Sequence, residues 1–465
     1  MIDSSSELSL NATVLVKTPL SMRRIMRTWW PLTVSWLLMT AELSLISAVV
    51  ARLPDPEVNL AAWGIVFSLS IMIQAPSAML LAASTALSQD WASYLKLRRF
   101  MLGISAILSL LHALVAFTPL YDLVMGDLIG APVEIMEPTR LGLMIMTPWS
   151  WGTAYRRFEQ GVLIRFDYSR AVVWGSLLRL GMDSVVLVIG YTLGQASGIV
   201  VGSSGIIIGV LSEAIYAGWR VGPLRRGQLK QAAPVEPPLT FRAFLNFYIP
   251  LALTALLTVL MQPLVSAALS RMPNPLESLA VWPVLFGLLV IWQSVGIAYN
   301  EAVIALLDAP QAVYNLRRFT LLLAALTTIL LGIMAATPLA TFWFSSVTAL
   351  APALVPLAQQ SLWFALLLPG LRVLQSWYQG AIVYSRDTRG ITESVVIFLV
   401  VSGAILWAGV IWGQIAGIYV GLIASVIGLL LQTIWLRWRS RPVMRAVQAR
   451  DTVSTSSLRT ANAST

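Results

Sequence analysis

The chain has 465 residues, of which 57% are hydrophobic and 11% charged, with no cysteine, one histidine and a net charge of +10. A water-soluble globular protein carries about 25% charged residues, so this composition excludes a soluble fold and places the chain in a bilayer. The missing cysteine excludes disulfides, thiolate metal sites, iron–sulfur clusters and cysteine nucleophiles.

From the N-terminus, a polar and basic stretch over residues 1–28 lacks a cleavable signal pattern and is expected to be a short cytoplasmic arm. Twelve apolar segments follow, at 29–52, 58–84, 99–125, 139–164, 169–193, 200–220, 243–270, 278–304, 318–344, 356–384, 391–412 and 415–436. Each is about 20 residues or longer, enough to cross a hydrocarbon core of about 30 Å as a helix. Continuous apolar runs are unlike the alternating strands of a membrane β-barrel. The fold class expected is therefore an all-α integral membrane protein of twelve transmembrane helices.

The two sets of six match at a constant offset of 219 positions. Pro31 and Leu32 recur as Pro250 and Leu251, and Arg52, Pro54, Pro56, Leu60, Ala61 and Trp63 as Arg271, Pro273, Pro275, Leu279, Ala280 and Trp282. Arg98, Arg99 and Phe100 recur as Arg317, Arg318 and Phe319, and Gln160 and Gly161 as Gln379 and Gly380. An ungapped register of this length marks an internal duplication, and duplicated bundles of this size are mostly transporters. The chain divides into an N-terminal arm (1–28), an N-lobe (29–221), a basic, proline-rich cytoplasmic linker (222–240), a C-lobe (241–439) and a Ser/Thr-rich tail expected to be disordered (440–465).

Most of the 31 Lys and Arg lie at the N-terminus, in the even-to-odd connections or in the tail, while Arg52, Arg140 and Arg271 lie on the other side. The positive-inside rule then puts both termini and the linker in the cytoplasm of a multi-pass protein of the cell membrane. The net charge is topological and gives no reason to expect a nucleic-acid partner. Trp29 and Trp30, then Trp435 and Trp438, are expected as interfacial anchors. Pro76, Pro148, Pro283 and Pro369 fall inside spans as candidate hinges. The connections leave no room for a nucleotide-binding or catalytic domain; no enzyme, cofactor or metal site is expected, and a monomer is.

A charged group at mid-bilayer costs at least about 2.5 to 3.5 kcal/mol on insertion scales, so it faces a partner or a watery cavity. Glu42, in span 1, has no base on its own segment to neutralise it and is the first candidate for proton coupling. Arg179 and Asp183 stand one turn apart in span 5, either as a neutralised pair or as a substrate contact and a second coupling carboxylate. Glu213 in span 6 fits a protonated, packed side chain. Arg156 and Arg157 in span 4 either snorkel, pair with Glu159, or bind substrate. Arg372 is central in span 10. Four intramembrane arginines without a lysine suit bidentate recognition of a carboxylate or phosphate. Gln74, Gln293, Gln262 and Gln375 add neutral hydrogen-bonding capacity for substrate or between helices. His112 in span 3 suits a packed neutral imidazole.

With these features in place, the chain resembles the multidrug/oligosaccharidyl-lipid/polysaccharide (MOP) exporter superfamily over nearly its whole length. The runs from Trp30 to Pro54 and from Ile249 to Pro273 look like the first helices of the two lobes of MATE-type exporters. Gln262-Pro263-Leu264-Val265, Ser270-Arg271, Pro369 and Gln379-Gly380 are similar to the progressive ankylosis branch. The resemblance implies a V-shaped pair of lobes around a cleft, alternating access and proton or sodium coupling, with organic anion export in the ankylosis branch. MATE exporters usually carry an aspartate in the first helix where this chain has Glu42, and its second lobe has no mid-span carboxylate. The function expected is secondary active export of an organic anion or amphipathic solute, coupled to protons or sodium. Glu42 and Asp183 are the coupling candidates, and Arg372, Arg156, Arg157 and Arg179 the anion contacts. Flipping of a lipid-linked oligosaccharide and multidrug cation antiport stand as alternatives.

Overall fold

A computed structural model describes residues 20–236, 238–385 and 389–463, and these residues hold helices and their connections without a strand. The first half comprises α1 (Met22–Val50), α2 (Pro56–Leu87), α3 (Trp91–Phe117), α4 (Met136–Met146 and Trp149–Arg165), α5 (Ser169–Leu193) and α6 (Gly198–Arg226). The second comprises α7 (Phe241–Leu269), α8 (Pro275–Leu306), α9 (Ala312–Ala336), α10 (Val355–Ala365 and Leu368–Tyr384), α11 (Arg389–Trp412) and α12 (Gly417–Ala463). Ten of these stretches are long and apolar enough to cross a membrane among the described residues. The other two are α1, in which Thr40–Val50 alone stands as a shorter apolar helix, and α4. The latter is divided near Pro148 and carries Arg156, Arg157 and Glu159.

The duplication is visible in the backbone as well as in the residues. The break in α4 after Met146 recurs in α10 after Ala365, at the same offset of 219 as the sequence repeat. A π-helical turn at Leu123–Ile129 recurs at Phe342–Val347, each followed by a left-handed residue, Gly130 or Ala349. Three of the four candidate hinge prolines sit at breaks: Pro76 before the interruption at Met79, Pro148 at the start of the second half of α4, and Pro369 in the first turn of the second half of α10. Proline lacks the amide hydrogen that would carry the ladder across those points. Pro283 lies inside α8 without interrupting it.

The first helix of each half lies at the boundary and touches both halves. Along its length α1 packs against α8, and α7 packs against α2. At the start of α1, Trp29 is buried against Phe319 and donates Nε1 to the Val295 carbonyl at 3.1 Å; Trp36 donates to Glu301 at 3.0 Å. Trp29 is thus an interlobe contact and not the interfacial anchor expected, because the ring finds both an apolar wall and an acceptor on the C-lobe. Trp30 beside it is exposed. In the mirrored position, Tyr248 of α7 donates to the Pro76 carbonyl at 2.7 Å and stacks with Phe244 beside Phe100 of α3.

The boundaries expected at the ends and centre of the chain shift. Helix α1 begins at Met22, inside the stretch read as an arm, with Ser21 accepting from the Arg24 amide at 3.2 Å as its N-cap. The linker is helical to Arg226 and again at Gln228–Gln231, so among the described residues its non-helical part is confined to 232–236 and 238–240. The expected disordered tail continues α12 to Ala463. As far as Arg450 the tail is anchored: Val443, Met444 and Val447 pack on the core formed by α8, α9 and α10, and Arg450 pairs with Asp308 at 3.1 Å.

Candidate functional site

Two polar sites lie within the helices, one per lobe. In the N-lobe, Glu213 of α6 is fully buried and collects four partners: Arg156 at 2.5 Å, Gln160 at 2.8 Å and Ser176 at 3.0 Å, with Arg179 Nε in ion-pair range at 3.3 Å. Arg179 also donates Nη1 to Glu42 of α1 at 2.7 Å. Four helices therefore converge on the cluster: α1 with Glu42, α4 with Arg156 and Gln160, α5 with Ser176 and Arg179, and α6 with Glu213.

Asp183 completes this group without joining its hydrogen bonds. It is fully buried, neither carboxyl oxygen has a hydrogen-bond partner among the described residues, and the charged groups facing it are Glu42, Arg179 and Glu213. Its carboxyl lies against Gly209 of α6, where a Cβ would stand 1.6 Å from Oδ1. Only a glycine leaves that space.

In the C-lobe the corresponding region is hollow. A cavity of about 470 Å³ is bounded by α7, α8, α10, α11 and α12, with Leu43, Phe67 and Ile71 closing it from the N-lobe. Its polar lining is Arg372 with Gln262, Gln293, Gln375, Gln379 and Gln432, and the hydroxyl residues Thr254, Thr258 and Ser425. Arg372 donates to Gln375 Oε1 at 2.6 Å and to Gln293 Oε1 at 3.3 Å, and no carboxylate forms an ion pair with it among the described residues. Trp282, Phe286 and Phe398 supply aromatic walls.

The two sites are the same place in the repeat. At an offset of 219, Glu42 corresponds to Met261, Arg156 to Gln375, Gln160 to Gln379, Arg179 to Phe398, Asp183 to Ser402 and Glu213 to Gln432. Even the glycine contact recurs: a Cβ on Gly428 would stand 2.1 Å from Ser402 Oγ, as one on Gly209 would from Asp183. In the N-lobe, mutually neutralising charges fill the space; in the C-lobe, neutral side chains leave it open. Arg372 is an addition, since its counterpart is Thr153.

Several expectations are corrected by this geometry. Glu42 does have a basic partner, brought from α5 by the helix packing. Arg179 turns away from Asp183, one turn along its own helix, because carboxylates from α1 and α6 converge on it. Glu213 is ion-paired where a protonated, packed acid was expected. Arg156 reaches Glu213 and neither snorkels nor pairs with Glu159, whose Oε1 is 3.5 Å from the Tyr94 hydroxyl. Arg157 makes no ion pair among the described residues, and its Nε is buried without a partner. Arg156, Arg157 and Arg179 thus stay with the N-lobe cluster, apart from the cavity that Arg372 lines. Gln74 is buried outside the cavity, with Oε1 3.3 Å from Ser77 Oγ, whereas Gln262, Gln293 and Gln375 line it. His112 is buried in α3. Gln432 was not among the candidates; its position as the counterpart of Glu213 is the signal that finds it.

No protein-family model matches the chain, and no curated protein does. Solved structures match it over most of its length. An inward-facing multidrug resistance MATE family transporter of the MOP superfamily is 14% identical, with a TM-score of 0.69, over 89% of this chain and 99% of its own. The lipid II flippase MurJ in an inward closed conformation is 14% identical, with a TM-score of 0.68, over 91% of each chain. A MOP superfamily transporter from Pyrococcus furiosus, described as having a binding pocket of reverse polarity that suggests a different function, is 15% identical, with a TM-score of 0.57, over 90% of this chain and 96% of its own. The fold is that of the MOP superfamily, as the resemblance of the first helices of each lobe implied.

Proposed function

We propose, from a fold shared with MATE transporters and a lipid flippase, that this chain is a secondary active transporter. It exports an organic anion or amphipathic solute by alternating access, with protons as the coupling ion. The observation that carries the substrate class is Arg372, a guanidinium in the C-lobe cavity with glutamines as its only hydrogen-bond partners among the described residues. A buried cation with no counter-charge invites an anion, and the surrounding amides bond a solute without neutralising it. The volume of about 470 Å³ falls in the range of small-molecule sites, and the aromatic walls suit an apolar body.

Coupling is assigned to the N-lobe cluster, where Glu42 and Glu213 pair with Arg156 and Arg179 and a third carboxylate, Asp183, lies beside them without an ion pair among the described residues. Asp183 is buried without an ion pair among the described residues, and it and Glu42 are the carboxyls to which the coupling proton is assigned. Protons are favoured over sodium because guanidinium groups already occupy Glu42 and Glu213.

Flipping of a lipid-linked oligosaccharide is the second reading, favoured by the likeness to a flippase fold. A single arginine is a modest match for a pyrophosphate head group. Multidrug cation antiport has no supporting carboxylate in the cavity lining.

The test is flux in liposomes under an imposed pH gradient with a panel of labelled anions and cations. Anion flux that falls about tenfold to a hundredfold in Arg372→Ala, the loss of one charge-assisted hydrogen bond, supports the assignment. Cation flux untouched by that substitution overturns it, and transbilayer movement of a fluorescent polyprenyl pyrophosphate lipid without anion flux favours the flippase.

A further inference from the structure

At the end of the bundle opposite both termini, each lobe holds the other through one arginine. Arg52, just past α1, donates Nη2 to the carbonyls of Ser346 and Val347 at 2.7 and 2.9 Å, across the lobe boundary. Arg271, just past α7, donates Nη2 to the Asp127 carbonyl and Nη1 to the Ile129 carbonyl, both at 2.6 Å, in the reverse direction. Each guanidinium is also tied back to its own helix, Arg52 to the Ala48 carbonyl at 2.6 Å and Arg271 to that of Ala267 at 2.9 Å.

The two arrangements correspond except at one acceptor, since Val347 is the counterpart of Leu128 whereas Arg271 uses Ile129. Arg52 and Arg271, Ala48 and Ala267, and Asp127 and Ser346 are each related by the offset of 219. The acceptors belong to the ends of the paired π-helical turns, where carbonyls lack an onward partner in the helix. Those carbonyls also carry the negative end of the local dipoles, which favours a cation. The left-handed residues that end the turns complete the seats: a Cβ on Gly130 would stand 3.2 Å from the Arg271 guanidinium carbon.

We infer that Arg52 and Arg271 form a reciprocal latch that holds the two lobes together at this end and must release for the cavity to be reached from it. The contacts stand independently of any substrate, while their role in a cycle rests on the alternating-access reading above. Each latch joins one guanidinium to backbone carbonyls of the opposite lobe, so the contact is set by backbone geometry and not by a side-chain partner. When the lobes part, water at the membrane surface can bond both the guanidinium and the carbonyls, so release leaves nothing stranded. Two latches on opposite lobes also resist rotation about either one alone.

Because the chain has no cysteine, spin labels can be placed without background. Val133→Cys in the N-lobe and Ala353→Cys in the C-lobe are exposed positions beyond the two turns. Interlabel distances are measured in nanodiscs for the parent, Arg52→Ala, Arg271→Ala, the double variant, and Arg52→Lys with Arg271→Lys. The expected result is a longer-distance population that rises severalfold in each single variant and further in the double, with the lysine pair intermediate. Variants are compared only when they elute as the parent does, and the lysine pair keeps the comparison open if an alanine variant does not fold. Distributions that match the parent in every folded variant overturn the latch. Flux is scored on the same preparations: a parent that shows latch-dependent distances but moves no solute counts against the proposed transport and leaves the latch standing.

Discussion

Arg179 of α5 holds Glu42 of α1 at 2.7 Å through Nη1 and approaches Glu213 of α6 at 3.3 Å through Nε, so one guanidinium ties three helices together. Removing one partner of a buried ion pair is strongly destabilising, by about 3–5 kcal/mol, because the other charge is left uncompensated. Arg179→Gln is expected to lower the thermal unfolding midpoint in detergent, and Glu42→Gln in the same chain to recover part of the loss. A single variant as stable as the parent would show that the pair contributes no net stability.

Asp183 and Glu42 are the pair in which the coupling proton is placed. Glu42→Gln and Asp183→Asn are each expected to abolish the dependence of flux on a pH gradient while leaving solute exchange at equal pH within about threefold of the parent. Such a split separates coupling from binding, which a loss of folding does not do. Unchanged gradient dependence in both variants sinks the assignment.

Gly209 admits the Asp183 carboxyl because it has no side chain. Gly209→Ala forces α5 away from α6 or drives Asp183 off its rotamer, and overpacking of this kind costs about 1–3 kcal/mol. Asp183→Ala combined with Gly209→Ala is expected to restore most of that loss, measured as unfolding midpoints in a double-mutant cycle. Additive effects of the two substitutions would show that the contact does not constrain the helices.

Asp90, between α2 and α3, ties the loop to the linker: Oδ1 accepts from the Ser93 amide at 2.8 Å and Oδ2 from the Val235 amide at 3.1 Å. Burial pushes its carboxyl up, but the hydrogen bonds from Ser93 and Val235 outweigh that and hold it below the ordinary carboxylate range. A carboxyl depressed in the folded state stabilises fully above its unfolded value and loses that contribution as pH falls through the folded one. Asp90→Ala is thus expected to cost about 0.5–2 kcal/mol at neutral pH, the usual worth of such a cap, with the difference from the parent shrinking below about pH 4. Proteolysis of the linker at residues near 232–240, compared at pH 7 and pH 3.5, reads the same contact locally. A constant difference across that range would remove Asp90 from the account.

The sequence alone determined the membrane class, the helical segments and the two-fold repeat, because each is a property of composition and order along one line. Twenty apolar residues must be a helix in lipid whatever they pack against, and the offset of 219 can be counted without coordinates. It also singled out Arg372, Gln293, Gln262 and Gln375, since a polar group in an apolar run is conspicuous by itself. Partners were decided only by the tertiary structure. Arg179 and Asp183 are correctly spaced to pair on one helix face, but carboxylates from α1 and α6 come closer, and those neighbours lie more than a hundred positions away or on another helix. In the same way, the sequence cannot say that Arg52 and Arg271 reach across to each other's lobes, or that the charges filling the N-lobe site are replaced by a cavity in its twin. Those outcomes depend on how separate helices meet, and electrostatics at 3 Å is blind to distance along the chain.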